Sequence, residues 1–244
     1  MIATPAPVAL ADLPRGFAHT AHDSQACFRA VLEAMARPGR VQVLPAELLR
    51  GLRHPDGLSP ALAAVLLTLT DADTRVHWGE GLCPPTTLAA WRAFGRFHTG
   101  LVEAATPADA DFAFTLAAQR PEALLAALPL GEDETPHHGA TLVIEAATLR
   151  ALEEDAQGFV NQPLSRPEAD PTPWVRLTGP GIQFAHGLAV GGLSRAFWLA
   201  RQALEEHFPR GIDVLFTCGD RMAALPRSTR IEIDPGWAPV DPRS

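Results

Sequence analysis

The residues from Phe208 to Ile233, FPRGIDVLFTCGDRMAALPRSTRIEI, leave the chain little choice of local structure. Pro209 and Gly211 stop any helix that precedes them. Ile212 to Thr217 is a short, almost uncharged run of β-branched and aromatic residues, the pattern of a buried strand. Gly219-Asp220 is a turn pair, and Met222 to Leu225 is a second apolar run. Runs this close must pair antiparallel, because a parallel return needs a longer crossover. Pro226 cannot donate to a ladder and ends the second strand. Three donor residues follow, Arg227, Ser228 and Thr229, and Ile231 and Ile233 suggest a short final strand. The hairpin is placed in the middle of the fold.

The rest of the chain alternates helix and strand signals. Asp23 or Ser24 can cap a helix that runs to about Arg37, with Cys27, Phe28, Val31, Leu32 and Met35 on its apolar face. Arg40 to Leu44 reads as a strand. Ser59-Pro60 opens a second helix, apolar nearly all round and therefore buried. Arg75 to Trp78 is a strand, and Pro84-Pro85 starts a third helix ending near Arg96. Further strands are expected at 111–116, 140–146 and 174–177. A short helix follows Pro121, and Ser194 caps a longer one to about His207. The pattern predicts an α/β fold of three layers, α/β/α, with a mixed, mainly parallel sheet. Residues 1–21 read as an extended arm, 22–233 as a single domain with an exposed insertion at 150–173, and 234–244 as a tail.

Composition excludes several functions. All 20 basic residues are arginine. Without lysine the chain can form no Schiff base with pyridoxal phosphate and no Walker A loop. The net charge of −8 disfavours nucleic acid as a partner. No apolar run reaches the ~18 residues of a membrane span, and the N-terminus has no basic signal region. Cys27, Cys83 and Cys218 are widely spaced and odd in number, as expected of reduced thiols in the cytoplasm.

No triad, carboxylate dyad or metal set is visible. Arg227, Ser228 and Thr229 offer donors to an anion at the mouth of a sheet, against the plainer reading of a solvated loop. His98 follows a helix and could titrate or bind a polar ligand, or simply cap the helix end. Cys218 lacks a sequence-adjacent base and reads as a structural thiol. His137 and His138, beside Glu132, Asp133 and Glu134, read as a solvated loop rather than a metal site. Gly179-Pro-Gly181 reads as a tight turn rather than a phosphate nest, and Asp71 with Asp73 as an Asx turn.

Six stretches taken in order carry a resemblance. They are HDSQACFRAVLEAMARPGRV (22–41), AVLLTLTDADTRV (64–76), FHTG (97–100), GATLV (139–143), LTGPGI (177–182) and GIDVLFTCGDRMAALPRST (211–229). Together they resemble the PhnH family of the bacterial carbon–phosphorus lyase system, over about 22–233, with 150–173 longer than the family leads one to expect. The resemblance implies a fold similar to the large domain of pyridoxal-phosphate-dependent transferases, without that cofactor. It also implies a homodimer that joins the G, I and J subunits of the carbon–phosphorus lyase complex. Their joint reaction would displace adenine from MgATP by a phosphonate, giving alpha-D-ribose 1-methylphosphonate 5-triphosphate. MgATP is then a substrate of the assembled complex, and the family implies no catalytic residue for this chain. The alternative is a stand-alone small-molecule enzyme built on His98 or Cys218.

Overall fold

The computed structural model describes residues 12–153 and 174–233. Seven strands form its main sheet. In spatial order they are β1 (Gln42–Val43), β10 (Arg221–Leu225), β9 (Asp213–Cys218), β5 (Thr141–Glu145), β4 (Phe112–Leu116), β2 (Arg75–Trp78) and β3 (Val102–Glu103). Every pairing from β9 to β3 is parallel, and β10 and β1 are added antiparallel. The terminal hairpin is β9–β10, turned by Gly219 at φ +62° and Asp220. A positive φ at the first turn position suits the twist of the strands it joins. The hairpin sits toward one side of the sheet, with only the two residues of β1 outside it.

Both faces of the central strands β10, β9, β5 and β4 are buried, and alternate residues feed two cores. Leu215, Met222, Ala224, Val143 and Phe114 face one, while Val214, Phe216, Ala223, Leu142 and Ile144 face the other. The first core is closed by α1 (Thr20–Ala36), α3 (Pro60–Leu69) and α4 (Pro85–Thr99). Helix α3 is buried from Ala61 to Leu66, as its all-apolar sequence requires. Its start is fixed by the Ser59 hydroxyl, which accepts from the Leu62 amide at 3.1 Å.

The second core shows where the structure adds to the expected α/β/α layering. It is covered by α5 (Glu122–Ala127) and α6 (Arg195–Ala203), but also by a four-stranded antiparallel sheet. That sheet runs β11 (Arg230–Ile233), β7 (Trp174–Thr178), β8 (His186–Val190) and β6 (Leu149–Glu153). One outer layer is therefore helical and the other is part helix, part sheet. The expected final strand exists, but it leaves the hairpin and pairs with β7, Ile231 opposite Leu177. Residues 150–153, expected in an exposed insertion, are strand; 154–173 and the tail 234–244 lie outside the described residues.

Smaller departures have local causes. The first helix starts at Thr20 rather than at Asp23, whose carboxylate reaches back to accept the His19 amide at 2.9 Å. Part of the expected arm is docked: Gly16 and Arg53 exchange backbone hydrogen bonds, and Phe17 is buried. The third predicted helix, now α4, runs past Arg96 to Thr99 and ends at Gly100 in the left-handed conformation. A short helix, α2 (Ala46–Gly51), escaped the sequence reading.

Candidate functional site

Pro226 ends β10 as expected, and the next residues turn toward the second sheet. The Thr229 amide donates to the Pro226 carbonyl at 2.9 Å. Arg227, Ser228 and Thr229, with Arg230, line an open cleft of about 430 Å3. Its other wall is Thr178-Gly179-Pro180, because β11 pairs with β7 and sets Arg230 opposite Thr178. Two sequence candidates, the donor triplet and the glycine turn, thus share one cleft. The turn is a tight one: the Ile182 amide closes on the Gly179 carbonyl at 3.1 Å. Gly181 is required there, since a Cβ would lie 2.1 Å from the Ala36 carbonyl oxygen.

The guanidinium of Arg227 does not point its fork into this cleft. Its Nη2 donates to Asp213 Oδ2 at 2.6 Å, and its Nε donates to the same carboxylate at 3.2 and 3.3 Å. Its amide donates to Asp213 Oδ1 at 2.7 Å, and Nη1 donates to the Pro136 carbonyl. Asp213 begins β9, so this bidentate pair locks the end of the hairpin to its start. The expectation that Arg227 is an open anion donor is corrected accordingly. Thr229 is fully buried, while Ser228, exposed Arg230 and the half-buried Thr178 and Glu205 bring polar groups to the cleft.

A buried polar layer lies beneath the cleft. Arg201 is fully buried on α6, and its Nη2 donates to the Pro226 carbonyl at 2.8 Å. Burial lowers its pKa, and Glu205 and Asp213 partly restore it. Glu205 accepts the Ile231 amide at 2.7 Å; desolvation raises its pKa. Arg201 and Glu205 thus tie their side chains to the backbone that crosses from β10 to β11.

The remaining candidates are scattered. His98 lies on α4, its Nε2 2.8 Å from the Pro14 carbonyl oxygen and its ring edge-on to Phe94 and Phe97. It anchors the docked N-terminal segment and takes no part in the cleft. Cys218 is half-buried, its Sγ donating weakly to the Ala147 carbonyl at 3.6 Å. Desolvation first, then the Glu145 charge, raise its pKa, the opposite of what a nucleophile needs. His137 and His138 are exposed and meet edge-on, ring centroids 4.3 Å apart. Among the described residues no cluster of three metal-ligating side chains occurs, and no helix is long and apolar enough to cross a membrane. Asp71 makes the expected Asx turn, accepting from the Thr74 hydroxyl at 2.6 Å and the Asp73 amide at 3.1 Å; these bonds lower its pKa.

Sequence reading missed one half-buried carboxyl altogether. Glu145 ends β5, at the carboxyl edge of the parallel strands, where ligands gather in open α/β sheets. Here the position is used for structure. Its Oε2 accepts from the Ser59 hydroxyl at 2.8 Å and the Thr217 hydroxyl at 2.5 Å. Desolvation raises its pKa against the pull of these bonds and of the Gly219 amide. Nothing in the sequence signals that residues 59, 145 and 217 meet.

The geometry therefore gives anchoring contacts where the sequence offered candidate chemistry. Comparison with known proteins meets this picture directly. Residues 15–232 match the family described as bacterial phosphonate metabolism protein, PhnH. The chain belongs to the PhnH family. A relative in Rhizobium meliloti (strain 1021) is named alpha-D-ribose 1-methylphosphonate 5-triphosphate synthase subunit PhnH. It is 31% identical over 225 residues, covering 88% of this chain and 94% of the relative. A second, HtxG of Stutzerimonas stutzeri, is described by name as a candidate C-P lyase subunit; it is 32% identical over 212 residues, 86% of each chain. The PhnH match spans nearly all the described residues, including both the hairpin and the strands of the second sheet.

Proposed function

We propose that this chain serves as the PhnH component of a carbon–phosphorus lyase system, in the cytoplasm, as a homodimer joined to the G, I and J subunits. Its reaction is the one its Rhizobium relative is named for, the making of alpha-D-ribose 1-methylphosphonate 5-triphosphate. The substrates are MgATP and a phosphonate, and the chain's own part is assembly together with ligand binding. The match over residues 15–232 carries this reading. It is supported by the engagement of His98 and Cys218, the residues of the stand-alone alternative, in internal contacts. Exposed apolar side chains fit a member of an assembly: Phe28 (46% exposed) and Leu32 (51%) stand one turn apart on α1.

The test is co-expression with the G, I and J subunits. Tagged chain is expected to retain all three through size exclusion, and the chain alone to scatter light as a dimer. A chain that remains at 26.1 kDa and retains none of them overturns the reading.

The fold is proposed to be that of the large domain of pyridoxal-phosphate-dependent transferases, working without the cofactor. The parallel strands β2, β4, β5 and β9 suit such a sheet. At their carboxyl edge Glu145 is held by two hydroxyls, and the sequence has no lysine to form an aldimine. Borohydride treatment of the protein with pyridoxal phosphate, its α-amine blocked, is expected to leave no stoichiometric adduct. Mass spectrometry that finds one on a side chain removes the cofactor-free assignment.

A further inference from the structure

Four arginines from three separate stretches of chain converge on a second cleft, of about 520 Å3. Arg37 stands at the C-terminal cap of α1, and Arg40 lies in the turn before β1. Arg221 opens β10, and Arg150 lies on β6, the edge strand of the second sheet. β10 and β6 pack against each other, so the cleft follows the seam between the two sheets. Its volume is within the roughly 300–1,000 Å3 of small-molecule sites.

Charge and shape narrow the occupant. Among the described residues, Glu33 pairs with Arg37 at 3.0 Å and Asp220 with Arg221 at 3.8 Å. All four side chains are substantially exposed, where such pairs hold weakly and yield to a stronger anion. Arg40 and Arg150 engage groups of their own, so an incoming anion would compete for their guanidinium donors as it would at Arg37 and Arg221. The planar fork matches phosphate oxygens two at a time. Four forks spread along one seam suit an extended anion rather than a single phosphate. This concentration of cations stands in a chain whose net charge is −8.

We propose that this cleft binds a phosphoryl polyanion of triphosphate size. The proposal deepens the reading of the chain as a lyase component, on which the identity of the natural ligand rests; the site itself rests on the four arginines. The donor triplet at Arg227, chosen from sequence, is replaced in this role by residues that only the folded chain brings together.

Titration calorimetry of the purified full-length chain with inorganic triphosphate tests it. One saturable site is expected, weakened about 10-fold or more by Arg37→Gln, by Arg221→Gln and by Arg150→Gln, the loss expected from a charge-assisted contact. Arg120→Gln removes the same charge from an exposed position outside the cleft and is expected to leave binding unchanged. Thermal melts verify folding; should Arg150→Gln unfold, the two exposed positions decide. Absence of saturable binding overturns the proposal, as does an equal loss in Arg120→Gln. If the cleft variants instead lose only the partner proteins, the cleft is an acidic-protein surface and the proposal falls. A chain that retains its partners but binds no triphosphate refutes the site and leaves the lyase reading standing.

Discussion

Arg227→Ala is expected to destabilise the fold by about 2–4 kcal/mol, the consequence of stranding a largely buried partner charge. The side chains of Arg227 and Asp213 are only 17% and 16% exposed, so water screens the pair poorly. Removing the guanidinium strips Asp213 of its bidentate partner and the Pro136 carbonyl of a donor. It also frees the turn that carries the chain from β10 to β11. Arg227→Lys recovers only part of the loss, since an ammonium cannot fork across both carboxylate oxygens. Urea unfolding, with the slope checked for constancy, measures the effect. The double variant with Asp213→Ala is expected to lose less than the sum of the singles. A single-variant loss below about 0.5 kcal/mol, the ordinary range for a surface change, returns Arg227 to a solvated loop.

Glu145→Ala is expected to cost about 2–4 kcal/mol, because two hydroxyl donors and the Gly219 amide lose their acceptor. Thr217 is fully buried and has no route to water. The loss also varies with pH in a definite sense. Glu145 holds its proton more tightly folded than unfolded, its pKa raised above the ordinary 4.5 chiefly by desolvation. Its contribution is therefore complete below the unfolded value and declines as pH rises through the folded one. The gap between the wild-type chain and Glu145→Ala should accordingly be widest in mild acid and narrow toward neutrality. Urea midpoints across that range measure it. A gap that instead widens with pH means that the ionised carboxylate is the stabilised form, and the assignment to desolvation fails.

The sequence was most legible where neighbours in the chain are neighbours in space. Gly219-Asp220 between two apolar runs leads to a hairpin, and Ser59 before Pro60 to a capped helix, because the deciding contacts span a few residues. The second sheet was hidden by composition and distance. β6 reads LRALE, residues that favour helix, and becomes a strand through pairing with β8, which begins only at His186. The pairing of Arg227 with Asp213 was hidden for a related reason. An arginine beyond a strand end looks solvent-facing until Asp213 is seen to begin the adjacent strand. The arginine cleft could not be read at all, since residues 37, 40, 150 and 221 share no spacing.

The strand order carries a consequence for the chain as it leaves the ribosome. Gln42 finds its partner only in Met222, and Thr141 to Glu145 lack one neighbour until residues 213–217 exist. The N-terminal segments are thus made long before the hairpin that completes their sheet. Until then β5 presents an unpaired hydrophobic edge, the kind of surface that invites aggregation or a protecting partner. The central sheet can therefore close only after residues 213–225 are made, when the last hairpin enters between strands already present.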